Sequence, residues 1–249
     1  MLNPSRVSCH PETVSSFPLE MKAQRLAATF LTLASFAWAQ RQVSYTTLDG
    51  VQLHADLYGQ GPRGLALVHG GRFNKESWAK QALLFANAGF QVLAIDFRGY
   101  GQTKIGPHGE LGSDGGRYLD VLAAARYLRE RGANTVSVIG ASMGGDAAAE
   151  AVAQAKPGEI DNLVLLGSSG NDQMQNIKTR TLFIVSRGDA GSDGPRLPKI
   201  REQFDKAPEP KELVVLDGSA HAQFIFETDQ AHRLMREMLR FLSATQLHK

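Results

Sequence analysis

A serine stands between two glycines in Gly140-Ala141-Ser142-Met143-Gly144, after the apolar run TVSVI and before the alanine-rich run DAAAEAVAQA. Glycines two positions either side of a serine let a strand turn sharply into a helix, with the hydroxyl exposed on a strained apex. A helix that starts at Met143 aims unpaired N–H groups and a partial positive charge at any oxyanion formed beside Ser142. Asp146, in the first turn of that helix, reads as a residue that complements the helix dipole. The bare G-x-S-x-G string is weak in a chain with 25 glycines, so the weight falls on the strand and helix around it. The bland reading, a serine in a tight turn, predicts nothing about the rest of the chain.

The chemical reading does predict something, because a serine hydroxyl is a poor nucleophile until a base, itself oriented by a carboxylate, takes its proton. Asp189 follows the run TLFIV in Ser186-Arg187-Gly188-Asp189, and His221 follows ELVVL in Asp217-Gly218-Ser219-Ala220-His221. The expected acid is Asp189 and the expected base His221. Asp193, four residues further along a Gly/Ser-rich stretch, is the rival acid; closeness to the strand end favours Asp189. His10, His54, His108, His232 and His248 fall in the leader, the early hairpin, a Gly/Pro loop, the last helix and the terminus, where surface or packing roles are expected. The other half of an oxyanion site is expected in Val68-His69-Gly70-Gly71-Arg72-Phe73, where glycines let backbone N–H groups approach a substrate oxygen. Gly71 is the first choice of donor and Arg72 the second, with the Met143 N–H opposite. His69 is expected to be a buried, hydrogen-bonded turn residue.

Elements of the right kind must hold these residues. VSYTTL and VQLHADLY, joined through Asp49-Gly50, fit an antiparallel hairpin with a tight turn. The apolar runs GLALVHG, FQVLAID, TVSVIGAS, NLVLLGSS, TLFIVSRGD and ELVVLDG lack alternation, as strands covered on both faces do. Helical stretches are expected over residues 76–88, 116–131, 143–155, 197–206 and 227–243. The repeated βα order predicts an α/β fold: a doubly wound, mostly parallel sheet with an N-terminal antiparallel hairpin and helices on both faces. In such sheets ligands bind beyond the carboxyl ends of the strands, where Ser142, Asp189 and His221 all fall. Residues 171–181 are too few for a lid, and no cap domain is expected.

Composition narrows the partners. With 43% hydrophobic and 21% charged residues, the chain suits one globular domain, and a formal net charge of +2 gives no reason to expect nucleic acid. The only cysteine, Cys9, excludes an intrachain disulfide, a cysteine zinc site and an iron–sulfur cluster. No metal is expected. In MKAQRLAATFLTLASFAWAQ, residues 21–40, positive charge precedes an apolar stretch that ends in Ala37-Trp38-Ala39. That order is a signal peptide's, with cleavage between Ala39 and Gln40. The stretch is shorter than the roughly 20 residues that span a bilayer, so a stable membrane anchor is not expected. Residues 1–20 read as a non-native leader ahead of a start at Met21, 21–39 as the signal, and 40–249 as the working domain. The mature protein is expected in the periplasm or outside the cell.

The order Ser142, Asp189, His221, each after a strand, resembles the triad of the α/β-hydrolase superfamily, and the resemblance runs from Leu65 to Phe241. AIDFRGYGQT is similar to the superfamily's D-x-R-G-x-G-x-S/T segment, with Asp96, Arg98, Gly99 and Gly101 in place; GASMGG and HAQFIF are similar to family patterns too. The spacing resembles the small, lidless dienelactone-hydrolase-like and serine-aminopeptidase-like branches, although dienelactone hydrolases carry a cysteine where this chain has Ser142. The resemblance implies a serine hydrolase, needing no cofactor, that cleaves small-molecule carboxylic esters through an acyl-enzyme. Peptide, amide or thioester cleavage by the same residues is the alternative, since the triad does not set specificity. A non-catalytic binding protein on this fold would tolerate a missing base or acid, and neither is missing here.

Overall fold

Strands with apolar side chains on both faces are stable only when helices cover both sides of the sheet. The computed structural model describes residues 40–106 and 115–244. The expected leader and signal, His108 and His248 lie outside the described residues. The elements run β1 (Arg41–Thr46), β2 (Gln52–Tyr58), β3 (Arg63–Val68), α1 (Ala79–Asn87), β4 (Phe90–Ile95), α2 (Arg117–Glu130), β5 (Thr135–Ala141), α3 (Met143–Gln154), β6 (Asn162–Leu166), β7 (Arg180–Ser186), β8 (Ala190–Gly191), β9 (Gly194–Pro195), α4 (Arg196–Lys206), β10 (Lys211–Leu216) and α5 (Ala231–Ser243). Eight strands form one sheet in the order β1-β2-β4-β3-β5-β6-β7-β10. β2 pairs antiparallel with β1 and β4, and every other pairing in that sheet is parallel.

The period of two along each strand sorts the core into two layers. Leu65, Leu67, Val92, Ile139, Val164 and Leu182 pack with Phe85 of α1 and Leu234, Met238 and Phe241 of α5. Ala66, Val68, Leu93, Val138, Leu163 and Phe183 face the other way, toward α2, α3 and α4. β5, which ends at the G-x-S-x-G turn, therefore lies mid-sheet between β3 and β6, in the most constrained part of the fold. No separate cap stands over the strand ends among the described residues.

Several local expectations are corrected. The helix expected over 76–88 is a 3-10 turn, Lys75–Trp78, followed by α1. The turn is tight because Lys75 is drawn inward: its N–H donates to Asp96 Oδ1 at 2.8 Å and its ammonium lies 3.1 Å from Asp96 Oδ2, both side chains fully buried. The helix expected from 227 begins at Ala231, because extended backbone at Thr228 ends a 3-10 turn over Ala222–Glu227. The first hairpin does turn tightly at Asp49-Gly50: Gly50, with φ +84°, donates its N–H to the Thr47 carbonyl at 3.1 Å, and the Thr47 N–H and hydroxyl bond the Val51 carbonyl and N–H at 2.9 Å each. The stretch after Asp189 contains the small hairpin β8–β9, too short to leave a periodic signal.

The Asp96–Gly101 segment locks β4 to its surroundings. Asp96 also accepts the Gln102 N–H at 2.9 Å, and at Gly101, with φ +51°, a side chain would begin 2.2 Å from Asp96 Oδ2, so only glycine fits. Arg98 is clamped by Asp120 at 2.7 and 2.9 Å and by Asp49 at 2.6 Å. Removing one partner of a buried pair strands the other charge, here the fully buried Asp120. Arg98→Ala is therefore expected to cost about 3–5 kcal/mol of stability. Urea denaturation measures it, and a loss below about 1 kcal/mol, the value of a surface pair, would show that the clamp is not structural.

Candidate active site

The turn after β5 is built by close approach. A side chain on Gly140 would begin 2.4 Å from the Gly144 carbonyl oxygen, and one on Gly144 would begin 2.6 Å from the carbonyl oxygens of Val68 and His69. Both positions demand glycine, and the serine between them takes the strain, with φ 50° and ψ −121°. Its N–H donates to the Leu166 carbonyl at 2.9 Å, and its own carbonyl accepts the Gly145 N–H at 2.7 Å, opening α3. Ser142 is thus fixed to β6 on one side and to a helix start on the other.

Two further loops bring the remaining groups to it. β7 and β10 are parallel neighbours, and their loops are laced together: Arg187 N–H to Leu216 O at 2.8 Å, Gly188 N–H to Gly218 O at 2.9 Å, and Ser186 Oγ to Ala220 O at 2.7 Å. The lacing sets the Asp189 Oδ2 and His221 Nδ1 atoms 2.8 Å apart, and the His221 Nε2 and Ser142 Oγ atoms 2.8 Å apart. Asp189 is fully buried, while the His221 side chain is a quarter exposed. With Nδ1–H directed at the carboxylate, Nε2 is the acceptor for the serine hydroxyl. Asp193 sits on the turn of the β8–β9 hairpin, exposed, and accepts the Ser192 hydroxyl at 3.0 Å. The structure places Asp189 against His221 and leaves Asp193 apart from it.

The β3 loop lies opposite α3. A side chain on Gly71 would begin 3.6 Å from Met143 Sδ and 4.0 Å from its Cβ, so the β3 loop packs against the residue that follows Ser142. Gly71 and Arg72 are exposed, and neither their N–H groups nor that of Met143 donates to another described residue. These are unsatisfied donors of the kind a developing oxyanion needs. His69 beneath them is fully buried. It contacts the Gly70 carbonyl through Nδ1 at 2.9 Å and accepts the Phe97 N–H on Nε2 at 3.3 Å, which fixes the neutral tautomer protonated on Nδ1. Burial depresses its pKa below the ordinary histidine value.

Three residues escape a reading of the sequence. Gln223, two positions after His221, accepts the Gly70 N–H at 2.8 Å and donates to Ser77 Oγ at 2.8 Å, tying the histidine loop to the β3 loop. Ser168 donates to Asp146 Oδ1 at 2.7 Å, so Asp146 does more than face the helix dipole; crowding by protein raises its pKa even though it is exposed along a cavity. Arg196, the first residue of α4, places Nε 3.4 Å from Asp189 Oδ1. Only the HAQFIF pattern carried any signal for Gln223; the other two depend on how distant loops meet. Among the described residues no group of acidic, histidine or cysteine side chains is arranged to hold a metal ion, and no helix is long and apolar enough to cross a membrane.

Comparison with known proteins agrees with this architecture. A family model described as the alpha/beta hydrolase fold matches residues 65–243, and the chain belongs to that family. A non-heme chloroperoxidase of Streptomyces lividans is 36% identical over 127 residues, 49% of this chain and 43% of that protein, so the chain matches less than half of that relative's length. A 2-hydroxy-6-oxononadienedioate/2-hydroxy-6-oxononatrienedioate hydrolase of Burkholderia vietnamiensis is 30% identical over 196 residues, 76% of this chain and 62% of that protein. Among solved structures, an esterase of Pyrococcus furiosus superposes with a TM-score of 0.68 at 20% identity, covering 82% of this chain and 92% of that one, a likeness of fold.

The buried neutral His69 has a consequence for stability. Its folded-state pKa lies below its unfolded value of about 6.5, so the unfolded chain takes up the proton first. The stability it contributes is full above that value and is lost as pH falls from about 6.5 toward its folded pKa. Between pH 7 and pH 5 the wild type is expected to lose more stability than His69→Asn. Urea midpoints at both pH values test this; equal slopes would remove His69 as the cause.

Proposed function

We propose that the protein is a serine hydrolase that cleaves carboxylic esters through an acyl-enzyme. The observation that carries the reading is the pair of 2.8 Å contacts made by one imidazole, to Ser142 on Nε2 and to Asp189 on Nδ1. In the forward step His221 takes the Ser142 proton as Oγ attacks the ester carbonyl, while Asp189 holds the ring and stabilises the imidazolium. The Gly71 and Met143 N–H groups, with Arg72 as the alternative to Gly71, receive the oxyanion. The imidazolium protonates the departing alcohol. The same base then removes a proton from water, whose oxygen attacks the acyl carbonyl; the bond to Oγ breaks, and the imidazolium returns the proton to Ser142 as the acid leaves. The proton count closes with no cofactor.

The relatives' names range from a chloroperoxidase to a dienedioate hydrolase, so the serine mechanism rests on the site and the choice of an ester on the family resemblance. Amides and thioesters present the same carbonyl to the same groups and form the alternative substrate class. On this reading the chain works outside the cytoplasm, exported by residues 21–39 and cleaved after Ala39; N-terminal sequencing of protein recovered from an exporting host would find Gln40 first.

A fluorophosphonate probe is expected to label Ser142, and Ser142→Ala is expected to lose both labelling and turnover of a chromogenic acetate ester while keeping its circular dichroism. Full activity in that variant would refute the assignment. Between the two acids, Asp189→Asn is expected to lower kcat by about 10⁴-fold, as loss of the orienting carboxylate does in other triads. Asp193→Asn is expected to lower it by less than about tenfold. The reverse order would make Asp193 the acid.

A further inference from the structure

Beside Ser142 a cavity of about 240 Å³ opens between the start of α3, the loop after β6, the β8–β9 hairpin and the first turns of α4. Its volume is below the roughly 300–1,000 Å³ that drug-sized ligands occupy, so it suits a short group. Ser142 lines it and His221 does not. We assign the cavity to the acyl portion, the part of the substrate that stays bound to Ser142 Oγ after the alcohol leaves. The wall is polar: Asp146, Ser168, Ser169, Ser192, Arg196 and Lys199 face the space, and the aliphatic lining reduces to Pro195 and Ile200 with glycines.

The charges in this wall compensate one another. Asp146 and Asp193 balance Arg196 and Lys199, Asp146 is bonded to Ser168 Oγ, Asp193 to Ser192 Oγ, and Arg196 lies 3.4 Å from Asp189 Oδ1. An alkyl chain would strip water from these groups and return no hydrogen bond. A ligand carrying net charge would lose its own hydration against a wall with no excess of the opposite sign. A hydroxyl donates and accepts, and so replaces the displaced water at either kind of partner.

We infer that the cavity selects a short, neutral, hydroxylated acyl group over an alkyl, anionic or cationic one. The inference rests on the serine-hydrolase reading and narrows its substrate. Asp146 supplies acceptors, Ser169 a hydroxyl and the exposed Lys199 donors, while Ser168 Oγ is already engaged, donating to Asp146 Oδ1 and accepting the Gly170 N–H at 2.9 Å.

The test compares kcat/KM for four p-nitrophenyl esters of similar acyl length: glyceroyl, pentanoyl, succinyl half-ester and β-alanyl, each divided by its rate of alkaline hydrolysis. The glyceroyl ester is expected to lead the pentanoyl ester by about tenfold, the scale of one or two net hydrogen bonds. In the double variant Ser169→Val, Lys199→Met that ratio is expected to fall at least threefold toward the alkyl ester. Because each ratio is taken within one preparation, a loss of folded enzyme cancels. A wild type that labels with fluorophosphonate at Ser142 but favours the pentanoyl, succinyl or β-alanyl ester overturns this inference and leaves the hydrolase reading standing. A ratio unmoved by the double variant overturns the role of the cavity wall. A wild type that neither labels nor hydrolyses any ester sinks both.

Discussion

One imidazole bridging a strained hydroxyl and a buried carboxylate is the constraint around which the domain is organised. Hydrogen bonds of 2.8 Å on both ring nitrogens leave His221 one tautomer and one plane, so each neighbour must be held to a few tenths of an ångström. Ser142 meets this through a backbone conformation that few L residues adopt, and Asp189 through full burial. Both features cost stability. The surrounding fold supplies the compensation: β5 lies mid-sheet, covered on both faces, and Gly140 and Gly144 permit the backbone contacts that fix the turn.

The three loops of the site are also bound to one another. Backbone bonds between residues 187–188 and the chain at 216–218 couple the loop of Asp189 to that of His221, and Gln223 carries the His221 loop across to Gly70. The β3 loop is supported from below by a neutral His69 and by the Lys75–Asp96 ion pair. Position thus passes from the sheet to Ser142, Asp189 and His221 through hydrogen bonds, with few long side chains left to find their own conformation.

Much of this was legible in the residues because the determinants are local. Apolar runs bounded by glycine or aspartate mark buried strands, and the order of Ser142, Asp189 and His221 after three of them follows from the strand count. Features that arise where remote segments meet were not legible. The 3-10 turn at Lys75 comes from a carboxylate 21 positions away, and the Gln223 bridge spans 153 positions. The β8–β9 hairpin is two residues per strand, below any periodicity, yet it carries Asp193 away from His221 and walls the cavity beside Ser142. The leader and signal expected over residues 1–39 rest on the order of charge, apolar run and small residues in the sequence.

A covalent acyl intermediate on Ser142 Oγ is the most direct consequence of attack by that hydroxyl. Rapid acid quench during turnover of a slowly deacylated ester, followed by peptide mass spectrometry, is predicted to find the acyl mass on the peptide bearing Ser142, with a burst of alcohol matching the enzyme concentration. Sustained hydrolysis with no adduct, or an adduct on another residue, would contradict it.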